Sequence, residues 1–388
     1  MRTIGVVTVG RADYGILLPL LRAIHADPEL ALRLVVTGAH LSPEFGMTAT
    51  AIAQDGFVIA ERVSMLLSSD APEDIAASMG LGMIGFAQAY ARLRPDLLVV
   101  AGDRFEAHAA VAAAVPLTIP VAHLHGGEST EGLIDEVFRH SITKMSHLHF
   151  AATARYAQRI IQMGEEPWRV VVSGAPSLDT LHSLRRLSRE ELQQQCGLEL
   201  ATPPLLVTYH PVTLDYEHTE ARMRELLAAV RQVDRPTVFT YPNADTRGRR
   251  IIGLLQEFQQ ECPRARVVMH LGPQAYFSLM SHAAAMVGNS SSGIIEAASL
   301  QLPVVNIGTR QQGRDHAENV IDVGETRDEV LAGIHEALSP VFRRRLEDLI
   351  NPYGDGHAVP RILKTLKEVR LDGRLLMKRF YECQKPVR

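Results

Sequence analysis

Cysteine is scarce. The chain holds three in 388 residues, Cys196, Cys262 and Cys383, far apart and with no C-x-x-C pair. That speaks against a disulfide framework and a structural zinc, and it fits a reducing cytosol. A basic excess is missing too. Lys and Arg number 40 against 44 Asp and Glu, for a formal net charge of −4, whereas nucleic-acid-binding domains usually carry a basic stripe. No long apolar run spans a bilayer: the most apolar window, Ala107 to Ala122, contains His108, Pro116 and Pro120 and is too short. No leader is expected, because Met1-Arg2-Thr3 runs straight into Ile4-Gly5-Val6-Val7, which reads as a first core strand. There is no long repeat and no low-complexity segment. A cytoplasmic protein without nucleic-acid or membrane partners is expected.

What is present is length and apolar residues, 46% of the chain, enough for two α/β cores of ordinary size. Short apolar runs alternate with polar turns and amphipathic stretches. Strands are predicted at Thr3–Val9, Leu32–Thr37, Leu97–Ala101, Ile119–Leu124, Leu148–Ala151 and Val170–Val172, with helices such as Pro72–Leu93 and Asp135–Met145 between them. This alternation predicts parallel sheets buried on both faces. Ser188 and Glu191 form a capping-box pattern opening a linker helix that ends at Cys196-Gly197. A second strand series follows: Leu205–Tyr209, Thr237–Tyr241, Arg266–Met269, Ala285–Val287 and Val304–Asn306. Two doubly wound domains are predicted, 1–187 and 188–358. The tail from Val359 to Phe380 reads as one amphipathic helix packed on the body rather than a membrane or nucleic-acid helix.

Unusual polar residues fall at strand ends, where open parallel sheets bind ligands. Gly10-Arg11-Ala12-Asp13, Gly102-Asp103-Arg104 and the run His123 to Glu128 follow strands of the first series. His210-Pro211, Asn243 and the loop Gly288-Asn289-Ser290-Ser291-Ser292-Gly293 follow strands of the second. The serine loop precedes helical spacing over Ile294–Leu300, so its backbone N–H groups are expected to meet an anion at a helix N-terminus. Glu296, in the first turn, has acceptor oxygens suited to ribose hydroxyls. Phosphate and ribose together point to a nucleotide; an ordinary Ser/Gly turn is the alternative. Arg11, Arg104 and Arg310 offer forked donors for a diphosphate, or are solvated surface arginines. Asp103, Glu128, Asp135 and Glu136 with His123, His125 and His210 suit general acid/base work. His123 and His125, two apart on a strand, share a face and with Glu128 are candidate metal ligands, but the set is incomplete and no metal is expected. At least one of the two histidines is expected to be structural, and His140, His147 and His149 are expected to be core or surface histidines.

These residues resemble the hydrolysing UDP-N-acetylglucosamine 2-epimerases of bacterial sialic and legionaminic acid synthesis. The matching motifs run in order along nearly the whole chain: 11–15, 102–106, 123–128, 134–144, 210–213, 242–245, 288–296, 306–311 and 351–356. The resemblance implies a GT-B fold, two Rossmann-like domains with a cleft between them and a C-terminal helix (359–388) crossing back to the first. It implies anti elimination of UDP to a 2-acetamidoglucal, then hydration with inversion at C2. No cofactor is implied, and no glycine fingerprint for a nicotinamide is present. Carried over by motif, Asp103, Asp135 and His210 are catalytic, Ser290, Ser291 and Glu296 hold the nucleotide, and Asn243 and Arg310 contact it. Several relatives have a catalytic glutamate where this chain has His125, so either His125 or Glu128 inherits its role. UDP-N-acetylglucosamine is the first substrate expected, with a UDP- or GDP-2,4-diacetamido-2,4,6-trideoxyhexose as alternative and glycosyl transfer as a different class. A homodimer or homotetramer is expected.

Overall fold

Runs of Val, Leu and Ile between glycine-bearing turns build two parallel sheets. The computed structural model describes residues 1–68, 71–131, 133–242, 248–269 and 271–383. It divides into one unit of Met1–Glu128, Asp135–Thr180 and Tyr353–Arg388 and another of Ser129–Ile134 and Leu181–Pro352. The sequence placed the boundaries at 187/188 and 358/359. Residues 181–187 fall with the second unit, where the Leu187 N–H donates to Ser278 Oγ at 2.8 Å. The excursion 129–134 packs there as well: a Cβ on Gly313 would meet Glu131 Oε1 at 2.8 Å and Ser129 Oγ at 2.9 Å.

The first unit holds β1 (Arg2–Thr8), β2 (Leu30–Thr37), β3 (Ile59–Val63), β4 (Leu97–Ala101), β5 (Val121–Leu124), β6 (Leu148–Ala151) and β7 (Val170–Val172). Their order is β3-β2-β1-β4-β5-β6-β7, all parallel. Every residue of β4 and β5 is buried, as a sheet covered on both faces requires. Leu17, Leu20 and Leu21 of helix Arg11–Ala26 cover one face; Phe86, Tyr90 and Ala110 cover the other. The winding reverses between β1 and β4, so loops after these strands diverge and leave room for a ligand.

The C-terminal segment belongs to this unit, but not as the single helix expected over Val359–Phe380. Helix Ala358–Glu368 buries Ile362 and Leu366 in the β1 core. It stops at Val369, and Asp372 caps a second short helix, Gly373–Leu376, by accepting from the N–H groups of Arg374 and Leu375. The break aims carbonyls at a buried arginine: Arg169 donates to the carbonyls of Leu375 and Arg374, both at 2.8 Å. An unbroken helix would have consumed most of those acceptors internally.

The second unit holds β8 (Leu205–Thr208), β9 (Thr237–Thr240), β10 (Ala265–Val268), β11 (Ala285–Gly288), β12 (Val304–Ile307) and β13 (Val320–Val323), in the order β10-β9-β8-β11-β12-β13. Its switch point lies between β8 and β11. The Ser188–Glu191 capping box forms, and the helix it opens ends at Gly197 with φ 64°. Two such doubly wound units are the Rossmann-like parts of a GT-B fold. Two strands escaped the sequence reading, β3 and β13. Both lie at sheet edges and carry Glu61, Arg62 and Asp322, so neither shows a continuous apolar run. Among the described residues no helix is long and apolar enough to cross a membrane.

Candidate active site

At the first switch point the chain leaves β5 and turns sharply. His125 takes φ 62° and Gly127 φ 75°, left-handed values that cost a non-glycine residue about 1–3 kcal/mol. Space is as limiting as conformation. A Cβ on Gly126 would lie 2.8 Å from His123 Nδ1, and one on Gly127 2.5 Å from the Tyr156 carbonyl oxygen. The two glycines therefore let the loop fold flat and return Glu128 onto His125, with Oε1 2.6 Å from Nδ1. Against a carboxylate oxygen Nδ1 is the donor in this contact, and the other ring nitrogen is Nε2. That nitrogen is buried and has no partner among the described residues.

Helix Asp135–Met145 supplies the next link. Asp135 opens it, buried, and Arg139 follows one turn later on the same face. The Arg139 side chain is 1% exposed. Its Nη2 donates to Asp103 Oδ2, Nη1 donates to the His125 carbonyl at 3.3 Å, and Nη1 lies 3.7 Å from Glu128 Oε2. Asp103, after Gly102 at the end of β4, remains partly exposed. Asp103, Arg139, Glu128 and His125 thus form one connected chain of charged and titratable groups.

His123 stands apart. Its Nε2 donates to the Gly102 carbonyl at 2.7 Å and Nδ1 lies 3.2 Å from Thr143 Oγ1; burial pushes the imidazole down to about 3. It braces the β4 turn as a neutral side chain. The shared face expected for His123 and His125 is not found, because β5 ends at Leu124 and the backbone turns at His125. Of the three arginines expected at a diphosphate, two belong to this unit: Arg104 pairs with the buried Glu106 at 3.4 Å and lies over the Phe105 ring, while Arg11 is exposed. Asp13 shapes the turn after β1, accepting from Thr8 Oγ1 at 2.8 Å, Val9 N at 2.9 Å and Gly10 N at 2.6 Å. Burial raises its carboxyl to about 6 against the pull of those donors.

In the second unit the β8 and β11 backbones nearly touch. A Cβ on Gly288, φ 133°, would sit 2.0 Å from the Thr208 carbonyl oxygen. Asn289 follows, 1% exposed, and its amide clamps the end of β8: the His210 N–H donates to Oδ1 at 2.7 Å, and Nδ2 donates to the His210 carbonyl at 2.9 Å. The Asn289 carbonyl in turn accepts from Arg310 Nη1 at 3.1 Å and Gln311 Nε2 at 2.7 Å. His210, Asn289, Arg310 and the serine loop are therefore one construction. The helix expected after the loop is only Ser291–Ile295, capped by Ser290, with a 3-10 turn at Ala297–Leu300. Glu296 is its buried C-cap, not a first-turn residue, and five residues supply little dipole. The hydroxyls of Ser290 and Ser292 in the loop and of Thr208 at the end of β8 lie against Tyr276, whose phenol burial pushes up. Asn243 lies outside the described residues.

The sequence reading gathered the titratable groups but gave no role to Arg139, Asn289, Gln311, Tyr276 or Asp13. A signal existed for Arg139: it is four residues after Asp135, hence on one helical face. None existed for the Asn289 clamp, whose partners are backbone atoms 79 positions away.

Titratable clusters at the switch points of two doubly wound sheets define a class, an α/β enzyme working on a small ligand at strand ends. A family model described as UDP-N-acetylglucosamine 2-epimerase matches residues 22–367. The chain is 36% identical over 379 residues to the UDP-N,N'-diacetylbacillosamine 2-epimerase (hydrolyzing) of Legionella pneumophila, covering 97% of this chain and 99% of that protein. It is 38% identical over 385 residues to the GDP/UDP-N,N'-diacetylbacillosamine 2-epimerase (hydrolyzing) of Campylobacter jejuni, covering 98% and 99%. The crystal structure of UDP-GlcNAc 2-epimerase from Neisseria meningitidis bound to UDP-GlcNAc shares the fold, with TM-score 0.80 at 18% identity over 95% of this chain and 100% of that one. The chain belongs to the UDP-N-acetylglucosamine 2-epimerase family.

Proposed function

We propose that the protein is a hydrolysing 2-epimerase of a UDP-linked 2-acetamido sugar, and that its preferred substrate is the 2,4-diacetamido-2,4,6-trideoxy sugar, UDP-N,N'-diacetylbacillosamine. The substrate preference rests on the Legionella and Campylobacter relatives, similar over nearly their full length. It reverses the order expected from the sequence, which put UDP-N-acetylglucosamine first.

The observation that carries the chemistry is the chain Asp103–Arg139–Glu128–His125. It offers two proton-transfer atoms, a partly exposed carboxylate and an unpartnered imidazole nitrogen. In elimination a base takes the C2 proton, the C–H electron pair forms the C1–C2 double bond, and the C1–O bond breaks with UDP leaving on its electron pair. In hydration a water gives its hydroxyl to C1 and a proton reaches C2 from the opposite face. The net change is nucleotide sugar plus water to free C2-inverted sugar plus UDP. Asp103 and His125 share the proton transfers, assisted by Asp135, one helical turn before Arg139. His210, fixed by Asn289, assists UDP departure, and Ser290, Ser291, Glu296 and Arg310 hold the nucleotide. Glu128 orients His125 rather than competing with it, which the 2.6 Å contact supports.

Proton NMR in deuterium oxide tests the reading. With either UDP-sugar an epimerase releases free product deuterated at C2; unlabelled C2, or transfer to an acceptor, removes it. A greater kcat/KM for UDP-N-acetylglucosamine than for the diacetamido sugar overturns the substrate preference alone.

A further inference from the structure

We propose that Arg139 is a positioning residue that sets the tautomer of His125 through Glu128 and ties it to Asp103, a role resting on the proton-transfer reading above. A guanidinium is planar and forked, so one side chain can meet two carboxylates and a carbonyl at fixed angles. Arg139 does this with Asp103, Glu128 and the His125 carbonyl while 1% exposed. A buried charge of this kind needs such partners, and their geometry restrains the partners in return. Held on one side by Arg139, Glu128 presents Oε1 to Nδ1 at 2.6 Å. That contact selects the Nδ1–H tautomer and leaves Nε2 as the proton-accepting atom. The same arginine holds Asp103 Oδ2, so the two proton-transfer groups keep a fixed separation. The resemblance implied roles for Asp103 and the 125/128 pair but none for the arginine that joins them.

Lysine is the informative substitution, because it keeps the charge but has a single nitrogen with which to bridge two carboxylates. Nitrogen-15 NMR of histidine-labelled, substrate-free protein, with the His125 signals assigned by loss in His125→Gln, reads the tautomer directly. The wild-type protein should show protonated Nδ1 and unprotonated Nε2. Arg139→Lys should show a tautomer mixture, and its kcat should fall about 100-fold, the loss expected from a displaced reacting group. KM and UDP affinity should stay within threefold, and the pH profile of kcat should change shape. If Arg139→Lys is too unstable to assay, Glu128→Gln, nearly isosteric with Arg139 intact, should give the same tautomer mixture. A retained Nδ1–H tautomer in either variant, or an Arg139→Lys kcat within threefold of wild type, overturns the proposal. The tautomer measurement needs no substrate, so it still decides the role of Arg139 if the wild-type protein turns over neither sugar.

Discussion

Asn289→Asp changes one atom group and reverses one hydrogen bond. In the wild-type protein Oδ1 accepts the His210 N–H at 2.7 Å and Nδ2 donates to the His210 carbonyl at 2.9 Å; only this amide orientation satisfies both. Aspartate keeps the first bond and turns the second into two acceptors facing each other in a site 1% exposed. The lost hydrogen bond is worth about 1 kcal/mol, and the carbonyl left unpaired in the interior costs about 1–3 kcal/mol more. The second unit should therefore lose roughly 2–4 kcal/mol, which for a domain of this size lowers Tm by about 4–16 °C. Because the Asn289 carbonyl also anchors Arg310 and Gln311, movement of residue 289 should carry those side chains with it. UDP affinity should then fall about tenfold, a loss of about 1.4 kcal/mol. Calorimetric melting and UDP titration check both numbers. A Tm within 2 °C of wild type together with unchanged UDP affinity would refute the clamp.

Asp103→Asn keeps the shape of the side chain and an oxygen for Arg139 but removes the base; kcat should drop at least ~100-fold while UDP affinity stays within a few-fold, and a variant keeping a tenth of wild-type turnover would take Asp103 out of the chemistry. Glu296→Ala should weaken UDP binding by about 1.5–3 kcal/mol, the range for a hydrogen bond to a charged group; calorimetry with no change would end its assignment to the ribose. Acid sensitivity follows from the buried histidines. Burial holds His123 at about 3 and His40 at about 4, below the ordinary 6.5, so the unfolded chain takes up protons that the folded one refuses. Stability is then full above pH 6.5 and falls as pH drops toward 4, by up to about 1.4 kcal/mol per pH unit for each histidine. Asp13, raised to about 6, opposes this over part of the range, so His123→Gln isolates one contribution: its urea-midpoint slope between pH 7 and 5 should flatten, and an identical slope would count against a neutral, buried His123.

The division between what the sequence disclosed and what it hid follows the range of the interactions. Periodicity is local, so helix Pro72–Leu93 and helix Asp135–Met145 were legible to the residue, as was the capping box at Ser188. Strands buried on both faces announced themselves as apolar runs; β3 and β13, at edges, did not. The tail misled because its amphipathic spacing is genuine, while the signal that breaks it, Asp372 before Gly373, is a capping pattern lying inside that spacing. The serine loop was read as the start of a longer helix for the same kind of reason: apolar spacing over Ile294–Leu300 fits a helix and a 3-10 turn equally well.

The site divides in the same way. Carboxylates and imidazoles at strand ends could be gathered from position alone, since strand ends of a doubly wound sheet converge on a switch point. Which of them touch could not, because the contacts depend on backbone turns at single residues. His125 illustrates this. Read as the next residue of a strand, it shares a face with His123 and suggests a metal; with φ 62° it leaves that face, meets Glu128 and becomes half of a carboxylate–imidazole pair. The glycines at 126 and 127 are visible in the sequence, but what they make room for is not. In the structure they give room to the protein itself, to His123 and to the Tyr156 carbonyl, and the closeness they permit brings Glu128 back to His125. At position 125 this chain places a histidine, with its own carboxylate three residues on. On the proposed reading the loop supplies its proton acceptor as an imidazole with a carboxylate behind it, an arrangement that depends on a fixed Glu128.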